Sequence, residues 1–178
     1  MKRFLKGFSL IELLVTIAVI ALLSGIVFIG YSSGERQLIL NRAASKLAQD
    51  IRRVEGMALS TEKCCGGIIP GGGYGIYLGN AGDTSYLLYA DTSSACVNCA
   101  EQHDAGDQTI ETINFEKGVK IQLLYPTSLL SINFKPPDPK IKINGDSATE
   151  ATITITLETD SSKTKTVKVT KAGLIEIQ

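Results

Sequence analysis

From Leu13 to Tyr31 the chain runs nineteen residues without a charge. A helix rises about 1.5 Å per residue, so such a stretch roughly spans a hydrocarbon core of about 30 Å. No proline occurs between residues 1 and 69 to interrupt it. Lys2, Arg3 and Lys6 precede the run, and Glu12 stands at its edge, in Phe8-Ser9-Leu10-Ile11-Glu12-Leu13. A carboxylate among lipid tails costs about 2–3 kcal/mol. The chain must therefore fold around an apolar segment that carries, near its beginning, a charge in need of a reason.

At 178 residues there is room for this segment and one ordinary domain. The basic leader puts Met1–Gly7 in the cytoplasm and the rest outside. A cleaved secretory signal has a shorter apolar core followed by a small-x-small site. Here the small residue in position for a cut is Gly7, ahead of the run, so processing leaves the segment in place. Formal net charge is zero, yet residues 61–111 hold one Lys against seven acids, and residues 116–178 hold nine Lys against seven acids. Neither imbalance demands a nucleic-acid partner.

Beyond the run, Leu40, Ala44, Leu47, Ile51, Val54 and Ala58 recur at helical spacing and make one apolar stripe. The spacing predicts a single helix from Phe8 to Ser60, with Gly30 and Gly34 as candidate bends. Its second half needs an apolar surface to lie on. The Gly-rich segment 64–75 cannot continue a helix, and Gly71–Gly75 reads as a loop. Period-two patterns then predict eight strands, at 74–78, 85–89, 112–115, 119–124, 130–134, 152–157, 166–170 and 174–178. Asp91–Gln108 reads as a long polar loop. The fold class is α+β, a long N-terminal helix with an apolar first half and an amphipathic second half packed on an antiparallel β head. The divisions expected are 1–7 as leader, 8–31 as membrane or core helix, 32–60 as amphipathic continuation and 61–178 as head.

The order of a basic leader, Gly7, Phe8-Ser9-Leu10-Ile11-Glu12 and an apolar helix resembles the class III signal of type IV pilins and type II secretion pseudopilins. The resemblance implies cleavage after Gly7 by a prepilin peptidase and methylation of Phe8. It also implies that Glu12 pairs with the N-terminal amine of a neighbouring subunit. Two opposite charges then satisfy one another, and a subunit out of register leaves both unpaired. The helix Asn41–Leu59 and the tail from Ile132 to Gln178 are similar to minor pilins of the GspH/FimT type. That tail ends in Gly173-Leu174-Ile175-Glu176-Ile177. It departs from the family turn, with Phe134-Lys-Pro-Pro-Asp-Pro lacking the expected glycine. Residue 29, where major pilins often carry proline, is Ile29, a departure toward the minor class. The resemblance implies an inner-membrane, single-pass subunit whose head lies in the periplasm or outside and whose partners are other pilins in a helical filament. A major pilin is one alternative. A membrane-anchored module whose head captures DNA or a secreted protein is another.

Cys64, Cys65, Cys96 and Cys99 lie in the exported part, where an even count favours disulfides. The pairings 64–96/65–99 and 64–99/65–96 close loops of ~30 residues, stabilising by about 3–4 kcal/mol in the chain-entropy model. A zinc site from Cys96, Cys99 and His103 with Cys64 or Cys65 is the rival, set against oxidation outside the cell. His103 is the only histidine and otherwise reads as a solvated loop residue. Asp104 with Asp107, or Asn144, Asp146 and Glu150, are Ca²⁺ candidates without the D-x-D-x-D-G loop. Lys163, Lys165, Lys168 and Lys171 are candidate phosphate contacts for DNA, or a solvated strand face that discourages edge pairing. No nucleophile–base set accompanies the single histidine, so no enzyme, cofactor or small-molecule substrate is expected.

Overall fold

The computed structural model describes residues 8–64, 66–67, 69–92, 102–135 and 140–178, with only the backbone given for 26–33 and 140. The chain divides into two compact units, Met1–Leu38 and Ile39–Gln178.

In the first unit, helix α1 (Leu10–Leu59) begins one residue after Ser9. Its backbone is helical through Gly30 and Gly34, the candidate bends. The large apolar side chains between Phe8 and Leu23 are exposed all round. Thr16 and Ser24 turn their hydroxyls back onto the carbonyls of Leu13 and Ile20, at 2.9 and 2.7 Å. Their polar atoms are thus satisfied within the helix, as an apolar setting requires. Among the described residues no helix is long and apolar enough to cross a membrane. The charge-free run continues into residues 26–33, so the membrane-spanning reading of 8–31 rests on the sequence.

In the second unit the predicted stripe is buried, with Leu47, Ile51, Val54 and Ala58 fully inaccessible. It joins one apolar core with residues of two antiparallel sheets. The strands are β1 (Gly73–Leu78), β2 (Ser85–Asp91), β3 (Gln108–Asn114), β4 (Val119–Tyr125), β5 (Leu130–Lys135), β6 (Lys140–Ile143), β7 (Glu150–Leu157), β8 (Asp160–Thr170) and β9 (Ile175–Ile177). One sheet has the order β3-β2-β1-β5-β6, the other β4-β7-β8-β9.

All eight expected strands are present, and β6 is an addition. Its sequence, Lys140-Ile-Lys-Ile143, is four residues long and follows the proline cluster, which masks a strand signal. Gly73 and Gly75 belong to β1, not to a loop. Gly73 takes φ of +97°, and a Cβ there would fall 2.2 Å from the Phe134 carbonyl oxygen, so only glycine lets β1 approach β5 this closely. A bulge between Ile121 and Leu123 resets the alternation of β4. Val119, Ile121 and Leu124 are buried while Leu123 and Tyr125 are exposed.

Polar ties join helix and sheet across this core. Asp50 is buried, accepts a hydrogen bond of 2.6 Å from the Tyr86 hydroxyl and pairs with Lys46 at 3.1 Å. Arg53 reaches Glu111 on β3 at 2.8 Å. The Tyr74 hydroxyl donates to the Glu62 carbonyl. Burial, then the hydrogen bond to Asp50, pushes the Tyr86 phenol well above its ordinary value.

Candidate functional site

The first residues of a helix leave backbone N–H groups without partners. Ser9 precedes α1, and Glu12 lies in its first turn. The Glu12 carboxylate accepts the Ser9 backbone N–H at 3.2 Å, while the Leu13 N–H donates to the Ser9 carbonyl at 3.2 Å. This is the glutamate half of a capping box, and it also sets a negative charge at the positive end of the helix dipole. Ser9-Leu10-Ile11-Glu12 has the S-x-x-E spacing of that box, a signal readable in the sequence that the pairing argument overlooked. Within a single chain, Glu12 therefore already has a role. Phe8, beside it, is 84% exposed. Gly7 lies outside the described residues.

Of the cysteines, Cys64 is described, half-buried and packed against the core. Cys65, Cys96 and Cys99 lie outside the described residues, and with them the disulfide and zinc readings. His103 is not a solvated loop residue. Its ring stacks on Tyr77 at 4.4 Å and meets Tyr89 edge-on at 5.0 Å, while its backbone N–H donates to Ser131 Oγ at 3.1 Å.

The carboxylates considered for Ca²⁺ are engaged in other ways. Asp104 accepts the Gly106 N–H at 2.7 Å, and Asp107 accepts the Asp104 N–H at 2.8 Å, which closes a turn. Asp146 pairs with Lys171 and, at 3.0 Å, with Lys142. The Lys171 ammonium, then that of Lys142, holds the Asp146 carboxyl below its usual range. Among the described residues no three of His, Cys, Asp and Glu gather closely enough to hold a metal ion.

The four lysines do not share a face. Strand alternation sets Lys163 and Lys165 in step with the buried Val167 and Val169, and Lys168 on the opposite side. Lys168 pairs with Glu150 at 2.8 Å, and that carboxylate raises its pKa. Lys171, in the turn after β8, is held by Asp146.

Residues 4–28 match the family model of the prokaryotic N-terminal methylation motif. No curated protein sequence matches the chain. Among solved structures, the type IV minor pilin FimU of Pseudomonas aeruginosa is similar at 12% identity and a TM-score of 0.47, over 78% of this chain and 87% of that one. The chain thus carries a prokaryotic N-terminal methylation motif at its beginning and, beyond it, a long helix packed on antiparallel sheets.

Proposed function

We propose that this chain is a minor pilin or pseudopilin, a structural subunit of a type IV pilus or type II secretion pseudopilus. The motif at residues 4–28 carries the reading. A prepilin peptidase cuts after Gly7, and Phe8 becomes the methylated N-terminus. The apolar segment anchors the subunit in the inner membrane and later lies among the same segments of its neighbours. The exposed apolar side chains from Phe8 to Leu23 support this, since in water they would be costly and in lipid or a helix bundle they are not. Glu12 changes partner on assembly, from the Ser9 N–H of its own chain to the N-terminal amine of a neighbour. The work of the subunit is to pack, not to catalyse.

An intact mass with an N-terminal peptide spectrum, on protein purified from its own membrane, tests this. A chain beginning at Phe8 with one added methyl is the expected result. A chain retaining Met1–Gly7 in cells that possess the peptidase would overturn it.

A further inference from the structure

The face of the five-stranded sheet turned away from the apolar core is built for contact. Alternation puts Gly75 and Tyr77 of β1, Tyr89 of β2, and Ser131 and Asn133 of β5 on it, with Gly75 opposite both Tyr89 and Asn133 and Tyr77 opposite Ser131. An outer sheet face is usually wet, yet Tyr89, Ser131 and Asn133 are buried. The Tyr89 ring occupies the space where a Cβ on Gly75 would sit, 2.3 Å from its nearest ring carbon. From there its hydroxyl reaches Ser131 Oγ at 2.7 Å. His103 lies against Tyr77 and Tyr89 and fixes the loop above them.

Beside this cluster is a cavity of 380 Å³, lined by Tyr77, Gln102, His103, Thr127, Leu129, Ser131 and Asn144. The volume is in the range of small-ligand sites. Some of the lining is scaffold. Asn144, at φ of +47°, accepts the Ser131 N–H at 2.7 Å and donates to Thr127 Oγ1 and to the Leu129 carbonyl. Other groups are open. The imidazole nitrogens of His103, the Gln102 carboxamide and the Tyr77 hydroxyl have no hydrogen-bond partner among the described residues. Among the described residues, none of the lining side chains is a carboxylate, an ammonium or a guanidinium. A site for an ionic ligand would need a countercharge, and this one offers donors, acceptors and an apolar wall.

We infer that this cavity binds a neutral saccharide, one sugar ring deep. The hydroxyls of such a ring both donate and accept, as Gln102 and His103 can, and its C–H face suits Leu129 and the Tyr77 ring. The ligand is held there and not turned over. The inference is independent of whether the chain enters a filament.

The single histidine supplies the test. The full chain, in a sugar-free zwitterionic detergent, is titrated with the methyl glycosides of glucose, galactose, mannose and N-acetylglucosamine. The His103 imidazole resonance and saturation transfer to the sugar are recorded. At least one glycoside shifts the resonance saturably at concentrations up to ~10 mM, the weak end of specific affinity. Gln102→Ala and His103→Phe each weaken that binding by about tenfold or more while the melting temperature holds; the phenylalanine keeps the ring stack and removes only the nitrogens. An oligosaccharide that binds as tightly as its terminal glycoside identifies a glycan end as the source, and one that is excluded identifies the free sugar. Silence from all four glycosides overturns the inference. So does tighter binding of glucuronate or inorganic phosphate than of any neutral sugar, or unchanged binding by Gln102→Ala.

Discussion

A buried carboxylate needs several partners, and Asp50 shows how this chain supplies them. It lies on α1 among the residues that meet the core. Tyr86 on β2 and Lys46 one turn back satisfy it. No spacing in the sequence joins residue 50 to residue 86, since the contact exists only once the sheet lies on the helix. Tyr86→Phe removes the shorter of these bonds, and hydrogen bonds to charged groups contribute about 1.5–3 kcal/mol. Urea unfolding of the variant is expected to show a loss in that range, reduced if Lys46 takes up the freed lone pair. The same residue sets a pH dependence. Burial raises the Tyr86 phenol, and burial likewise raises that of Tyr89 against the lowering effect of Ser131 and Asn133. Each folded pKa therefore lies above the unfolded value of about 10. Below pH ~10 both states hold the proton and the contribution is complete; above it the unfolded chain releases protons first, so stability falls as pH rises. Unfolding measured from pH 8 to 11 is expected to decline for the wild type and to decline less steeply for Tyr86→Phe.

At the scale of elements, periodicity was a good guide wherever one face met the core. Leu47 illustrates it for the helix: its place in the stripe predicted burial, and it is inaccessible. Leu47→Ala should cost about 2–5 kcal/mol. Leu38→Ala, at a leucine 47% exposed, should stay within about 0.5 kcal/mol, and paired melts of the two variants test the difference. Strand patterns were legible for the same reason in β7, where Ala151, Ile153, Ile155 and Leu157 alternate into the core. They do not tell where a strand is covered on both sides. In β5 the outward residues Ser131 and Asn133 are as buried as their inward neighbours, with the His103 N–H on Ser131 and the Tyr89 hydroxyl beside Asn133. That burial depends on side chains far apart in sequence, so His103 was read as solvated. Gly75 was equally opaque, since its meaning is the Tyr89 ring on the neighbouring strand. Gly75→Ala would force that ring aside, break the bond to Ser131 and cost about 1–3 kcal/mol. The check is the His103 imidazole resonance, expected to lose the ring-current displacement that the Tyr77 and Tyr89 stack confers.

For the whole molecule the question is how one glutamate serves two settings. In the single chain Glu12 caps its own helix through the Ser9 N–H. In the proposed filament it answers a neighbour's amine. The first use follows from a spacing inside the sequence and the second from a resemblance; the structure of one chain shows only the first. The two are separable by chemistry. A glutamine at the third helical position still reaches back to the N-cap N–H, because a carboxamide oxygen accepts as a carboxylate does, but it carries no charge. An alanine does neither. Glu12→Gln should therefore leave the Ser9 amide protected from hydrogen exchange in micelles, while Glu12→Ala exposes it, with a helix-start loss of about 0.5–1 kcal/mol. If charge pairing sets the register of assembly, both variants lose incorporation into filaments sheared from cells, though both remain in the membrane. If capping alone matters, Glu12→Gln assembles as the wild type does and only Glu12→Ala fails. The pattern of the two variants thus distinguishes an assembly charge from a helix cap.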